Sequence, residues 1–300
     1  MRLNAPLRRD LDGPAPDAAD EVMLYQTLVA AWPLGLLPED RPGVKALEER
    51  IAAWLEKALR EAKRRTSWAA PDADYEGACR AFLAGLLDPE RSADMAGELA
   101  AFAMRIAPAG AVNALGQTLL RMTCPGIPDL YQGTEYWDFS LVDPDNRRPV
   151  DFPARAATLD AGGDPGALLP AWRDGKVKQA VVARALALRA RCPGLFTEGA
   201  YVPLRTEGPG ADHVLAFARV HDGRAAVVAV TRLPHILDNG MTVPCIAPDR
   251  WGGTSVVLPR SLADRTLVSA LAAQEDRMGI GRLLVSRLLA GLPVALLEAR

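Results

Sequence analysis

Four cysteines in 300 residues, none in a Cys-x-x-Cys pair, leave this chain without the makings of a disulfide framework or a structural zinc site. Cys79, Cys124, Cys192 and Cys245 lie far apart and read as reduced, mostly buried thiols, as suits a cytoplasmic protein. Histidine is scarcer still. His213, His221 and His235 have no Cys, His or carboxylate partner at metal-ligand spacing, so the sequence supports neither a metal nor an organic cofactor. The formal net charge of −2 offers no global attraction for nucleic acid or an anionic membrane, and no basic cluster is interleaved with aromatic residues. Apolar runs are interrupted by charges before the ~20 residues that a membrane span needs. The stretch Met1–Asp10 has no apolar core of the kind a secretory signal requires. Two common chemical signatures are missing as well. There is no Gly-x-Ser-x-Gly nucleophile elbow. Gly279-Ile280-Gly281 lacks the third glycine of a dinucleotide loop, Leu284 standing in its place, and no strand precedes it, so it reads as a turn.

What is present is globular. Hydrophobic residues make up 49% of the chain and charged ones 24%, enough for one large domain or two ordinary ones. Residues 1–21 are rich in Pro, Asp and Arg and read as irregular. A helix from Glu21 ends at Trp32-Pro33. A long amphipathic helix begins at Pro42-Gly43 and runs to about Arg65, with Val44, Leu47, Ile51, Leu55 and Leu59 at helical spacing. Further helices are expected over Tyr75–Leu87, Ser92–Ile106 and Ala109–Met122, the last opened by Pro108. Another covers Lys176–Arg191 and ends at Pro193-Gly194. Trp32, Trp54 and Trp68 sit among these helices and read as core or helix-packing residues. Beyond that point the pattern turns to β. His213–Val220 and Ala225–Val230 are joined through Asp222-Gly223, a strong hairpin signal, with more strands expected at Ser255–Leu258 and Pro293–Leu297. The fold class is therefore α+β: residues 1–196 mainly helical, residues 197–300 mainly antiparallel β, the boundary falling near Phe196–Glu198.

The most informative stretch is Cys124–Asp151. A short apolar segment, Ile127–Tyr131, is boxed in by Gly and Pro and is expected to be a strand. It empties into a loop dense in carboxylates, aromatic rings and paired arginines, the groups that grip a polyhydroxylated ligand: rings cover apolar sugar faces and charged groups bind hydroxyls. Asp143, Asp145, Arg147 and Arg148 could equally fix the shape of a solvated loop, and that reading suits Arg148 and Asp151 best. Tyr131, Gln132, Glu135 and Trp137, at or just past the carboxyl end of the expected strand, favour a site, because that end of a parallel barrel carries the active-site loops.

Several of these stretches carry a resemblance. Gly126–Glu135 (Gly-Ile-Pro-Asp-Leu-Tyr-Gln-Gly-Thr-Glu) resembles the eighth-strand motif of the α-amylase family of glycoside hydrolases and transglycosidases (glycoside hydrolase family 13), and the helix ending at Leu188–Pro193 resembles that family's eighth barrel helix. Leu24–Pro33, Ala62–Trp68, Leu141–Asp151, Lys176–Gln179 and Leu292–Leu297 narrow the likeness to the family's maltooligosyl trehalose synthases, in order and over nearly all of the chain. The resemblance implies the C-terminal part of a (β/α)8 barrel followed by an antiparallel β domain. It implies an isomerising α-glucan glucosylmutase, which moves the reducing-end α-1,4 linkage of a maltooligosaccharide to an α,α-1,1 linkage, with retaining chemistry on two carboxylates. The family's nucleophile, acid/base and stabilising carboxylate belong to barrel strands upstream of the motifs found here, so no catalytic residue is expected in this chain, which would be inactive alone. The substrate-binding residues expected are Tyr131, Gln132, Glu135, Asp143, Asp145, Asn146 and Arg147, followed by Lys63. The expected partners are a maltooligosaccharide or α-glucan and a separately encoded N-terminal barrel half, with no nucleic acid and no membrane. Two alternatives stay open: a non-catalytic α-glucan-binding or complementation module, and a fragment of a related α-glucan hydrolase or glucanotransferase.

Overall fold

The computed structural model describes residues 4–92, 94–272 and 281–300. The turn expected at Gly279-Ile280 lies outside the described residues. The chain divides into two compact units, Met1–Arg105 with Phe139–Pro149, and Ile106–Asp138 with Val150–Arg300. The sequence boundary near Phe196–Glu198 falls inside the second.

The first unit is helical. A two-residue pair, β1 (Arg9–Asp10) against β2 (Pro14–Ala15), precedes it. Helix α1 (Ala18–Ala31) starts three residues earlier than its apolar pattern suggests, because the Asp17 carboxylate accepts from the backbone N–H of Ala19 and Asp20. It stops where Trp32, before Pro33, takes an extended backbone. Helix α2 (Arg41–Ala62) is capped by Asp40, whose side chain accepts from the Gly43 N–H. Its stripe Val44, Leu47, Ile51, Leu55 and Leu59 is buried as the periodicity requires. Helix α3 (Ala73–Leu87) is capped by Asp72. The core of this unit gathers Leu24, Leu28, Trp32, Ile51, Leu55 and Phe82 with neighbours from all three helices.

Residues 95–123 correct the sequence. The two helices expected there are one, α4 (Met95–Thr123), and Pro108 sits inside it instead of opening a new helix. Pro removes one bond from the ladder. Apolar contacts on either side of it, among them Leu99, Ala103, Val112 and Leu115, are buried and hold the helix through the gap. By length and composition α4 is the one described helix able to cross a membrane, and half of its apolar window is buried inside the structure, as in a core helix.

The second unit combines helices α5 (Phe152–Ala161), α6 (Pro165–Leu168), α7 (Lys176–Arg191) and α8 (Pro193–Thr197) with two sheets. Its strands are β3 (Ala200–Leu204), β4 (Thr206–Glu207), β5 (Val214–His221), β6 (Arg224–Thr231), β7 (Ser255–Val257), β8 (Leu267–Ser269), β9 (Arg282–Leu284) and β10 (Val294–Ala299). One sheet has the order β3-β5-β6-β10-β8 and the other β4-β7-β9, and every pairing among the described residues is antiparallel. The β5–β6 hairpin turns at Asp222 (φ 45°) and Gly223 (φ 76°), the two positive φ values that this tight turn demands. Strand β6 is buried from Ala225 to Thr231, an Ala/Val run covered on both faces. On one face Ala225, Val227 and Ala229 join a core with Trp251, Leu262 and Leu297. The end of β6 packs against α4, where a Cβ on Gly116 would make an ordinary contact, 3.6 Å from the Thr231 carbonyl oxygen.

The expected strand Ile127–Tyr131 is absent. No ladder forms there, and Ile127 is 93% exposed. A strand exists through the N–H and C=O groups of a neighbour, and no described strand runs beside this segment to supply them.

Candidate functional site

In the second unit the loop after Ile127–Tyr131 closes on itself. The Tyr131 carbonyl accepts from the Thr134 N–H (3.1 Å) and the Thr134 hydroxyl (2.6 Å). The third residue of this turn, Gly133, has φ 85°, and a Cβ there would lie 3.0 Å from Val150 Cγ2, so both conformation and space call for glycine. Tyr131 and Gln132 are exposed at the turn.

Glu135 follows, and the structure supplies it with an organiser that sequence reasoning missed. Arg155, on the first turn of α5, donates from Nε to Glu135 Oε2 (3.2 Å), from Nη2 to the Gly133 carbonyl (2.8 Å) and from Nη1 to the Asp151 carbonyl (3.0 Å). Its guanidinium also lies 4.7 Å from the centre of the Tyr136 ring. One planar fork thus fixes the turn, the carboxylate and an aromatic ring, a task for which the guanidinium suits better than an ammonium. The Gln179 side-chain amide donates to the Arg155 carbonyl (2.9 Å). Asp151 caps α5 by accepting from the Ala154 N–H, the scaffold part anticipated for it.

Trp137 is anchored instead of presented. Its indole N–H donates to the Trp172 carbonyl (2.5 Å) and its ring meets Trp172 edge-on at 6.3 Å. Lys178 closes the loop from α7, donating from Nζ to the Tyr136 carbonyl (3.0 Å). Burial lowers the Lys178 ammonium to about 8, with Arg121 adding to the shift and Asp138 and Glu135 opposing it. Gly175, which precedes α7, is needed for the close approach: a Cβ would lie 2.9 Å from Tyr136 Cβ.

In the first unit Asp143, Asp145, Asn146 and Arg147 lie on a tight turn ending in the 3-10 segment Asp145–Arg147. Asp145 is buried and fully engaged. Arg50 of α2 grips both its oxygens at 2.9 Å, and Oδ2 also accepts from the Leu141 N–H (2.8 Å). Burial raises the Asp145 pKa, but the Arg50 and Leu141 hydrogen bonds outweigh it and hold the carboxyl below its ordinary range. Asp145 therefore shapes this turn. Arg148 does the same through Asp145 and the Ser140 hydroxyl (3.0 Å). Asp143 is more open. It pairs with Lys57 of α2 (3.2 Å) and with Arg147. Asn146 is half-buried and Arg147 exposed. Lys63 is exposed at the C-terminal end of α2, in the left-handed conformation that stops the helix.

Trp68 departs from its sequence reading. It is 57% exposed, not core. A surface depression of about 410 Å³ lies beside it, lined by Lys57, Glu61, Asp143 and Pro144 among others. The structure thus brings Tyr131, Gln132 and Glu135 together in one unit, and Asp143, Asp145, Asn146 and Arg147 in the other.

No protein-family model matches the chain. Among curated proteins, those of two Mycobacterium tuberculosis strains that carry the name maltooligosyl trehalose synthase are 40% identical over 219 residues, which is 73% of this chain and 26% of each relative. Among solved structures, the maltooligosyltrehalose synthase of Arthrobacter ramosus is similar over 93% of this chain and 32% of its own, at 35% identity and a TM-score of 0.69. A point mutant of the same enzyme gives a TM-score of 0.71. A hypothetical maltooligosyl trehalose synthase of Sulfolobus tokodaii, at 24% identity and a TM-score of 0.62, shares the fold. The chain therefore spans about a quarter of the length of the curated relatives it matches and about a third of the solved ones. The resemblance carried by the motifs, to the maltooligosyl trehalose synthases, is borne out by sequence and by structure.

Proposed function

We propose that this chain, similar along nearly all of its length to one part of the maltooligosyl trehalose synthases, supplies the corresponding part of an intramolecular transglucosylase. The substrate is an α-1,4-linked maltooligosaccharide, and the reaction moves its reducing-end linkage to an α,α-1,1 bond. Residues 1–196 take the place of the closing part of a (β/α)8 barrel, and residues 197–300 that of the antiparallel domain behind it. The observation that carries this proposal is the 35% identity to a solved synthase across 93% of the chain. The fixed turn at Tyr131–Glu135 supports it locally, since a rigid scaffold presenting a ring, an amide and a carboxylate is what sugar positioning requires.

Retaining glycosyl transfer needs a nucleophilic carboxylate and a separate acid. Glu135 is one carboxylate, and one of its oxygens already accepts from Arg155. Its part is to bind hydroxyls, and the two reacting carboxyl groups come from polypeptide outside these 300 residues. The chain alone is then inactive. Four free thiols suit a cytoplasmic setting.

The test is reconstitution. Co-expressed with the N-terminal barrel of a relative, the chain should convert maltopentaose to a product without a reducing end and release no glucose. Reducing-end assay and chromatography read both quantities. Glucose release without loss of the substrate's reducing ends by isomerisation would assign a hydrolase instead.

A further inference from the structure

Trp68 is an indole more than half exposed, on a segment that is nevertheless firmly held. The Thr66 hydroxyl donates to Glu76 (2.6 Å) and accepts from the Asp72 N–H (2.9 Å), while Ser67 accepts from the Ala70 N–H (3.1 Å). The Trp68 ring lies 4.8 Å from the Arg60 guanidinium. Arg60 is itself locked, donating to both oxygens of Glu76 at 2.8 Å and pairing with Glu56 at 3.0 Å. The Arg60 hydrogen bonds, ahead of the Thr66 one and against burial, lower the Glu76 pKa, so this clamp is charged on both sides at neutral pH. An apolar ring is thus held rigid at the surface by polar parts whose own hydrogen bonds are satisfied. The ring lies outside this unit's core cluster.

Beside the ring lies the depression of about 410 Å³, within the range of small-ligand sites. Its charges are mutually compensated. Lys57 pairs with Asp143 (3.2 Å) and Glu61 (3.8 Å), and Glu56 with Arg60 and Arg80. A hollow with no uncompensated charge has little to draw an ion, but its carboxylate oxygens and ammonium can still exchange hydrogen bonds with a neutral partner. An aromatic face flanked by such groups fits a sugar ring.

We propose that Trp68, with Lys57, Glu61 and Asp143, forms a contact for a glucosyl unit of an α-glucan on the first unit. This inference deepens, and rests on, the α-glucan reading above. The experiment is a calorimetric titration of the full 300-residue chain with maltoheptaose, circular dichroism confirming that each variant is folded. Trp68→Ala should weaken binding about tenfold, the equivalent of 1.4 kcal/mol, which one aromatic contact supplies. Trp68→Phe, keeping a ring, should stay within about threefold of the parent by the same accounting. If the parent binds and Trp68→Ala binds equally well, the Trp68 contact is wrong and the α-glucan reading stands. If the folded parent does not bind maltoheptaose, the Trp68 contact is wrong, and the reconstitution above decides the α-glucan reading separately.

Discussion

The sequence offers Asp145 both as a sugar ligand and as a residue that fixes the shape of its loop, and its surroundings favour the second. Arg50 binds both of its oxygens, and the side chains of Asp145 and Arg50 are only 4% and 19% exposed. Its pKa lies below the ordinary 3.8, so above that pH the ionised form favours the folded chain. That contribution is complete at neutral pH and is lost as pH falls from 3.8 through the lower folded value. Asp145→Asn should therefore lower stability at pH 7 by about 1–3 kcal/mol, the worth of a hydrogen bond to a charged group. The loss should shrink on acidification, because the parent forfeits the same interaction there. Urea unfolding at several pH values measures both. A difference that persists unchanged below pH 3.8 would mean that the charge is not what Arg50 holds.

At the level of elements, α2 shows how a candidate ligand can be told from a helix stop. Lys63 ends α2 with φ 55° and ψ 32°. That backbone costs an L-residue roughly 1–2 kcal/mol, while glycine pays a smaller entropic penalty. Lys63→Gly should hold or raise the thermal midpoint, by up to about 1 kcal/mol in stability. If the side chain also binds substrate, the same change weakens maltoheptaose affinity, so one variant separates the two roles. The Lys63 position was legible as the end of a periodic stripe. The union of two expected helices into α4 was not, because Pro108 reads locally as a start while the contacts that carry the helix past it come from elsewhere in the chain.

For the molecule as a whole, helix α2 in the first unit and helices α5 and α7 in the second are scaffolds that each hold a rigid polar turn. In the reconstituted enzyme, Glu135→Ala should lower kcat/KM about 10- to 100-fold, the loss of one or two charge-assisted hydrogen bonds. His221→Ala should change it little. His221 closes the β5–β6 hairpin beside Asp222 (3.3 Å), away from the Tyr131–Glu135 turn in sequence and in hydrogen bonding. Equal losses in the two variants would remove the ground for placing the substrate at Glu135. The site itself was half legible. The Tyr131–Glu135 stretch announced itself by Gly, ring and carboxylate in close succession. Arg155 did not, because an arginine 20 residues away on a helix carries no local mark of the three partners it joins.

The sequence by itself determined helices such as α2 and α7 and the Asp222-Gly223 hairpin, since each depends on hydrogen bonds and φ preferences within a few neighbouring residues. It also carried the likeness to the maltooligosyl trehalose synthases, because order and spacing of motifs survive in the chain alone. Only the tertiary structure decided that Ile127–Tyr131 has no ladder, that Trp68 faces outward and that Asp145 is spent on Arg50. Each of these depends on what lies beside the residue in space, and a neighbour distant in sequence leaves no trace in local composition.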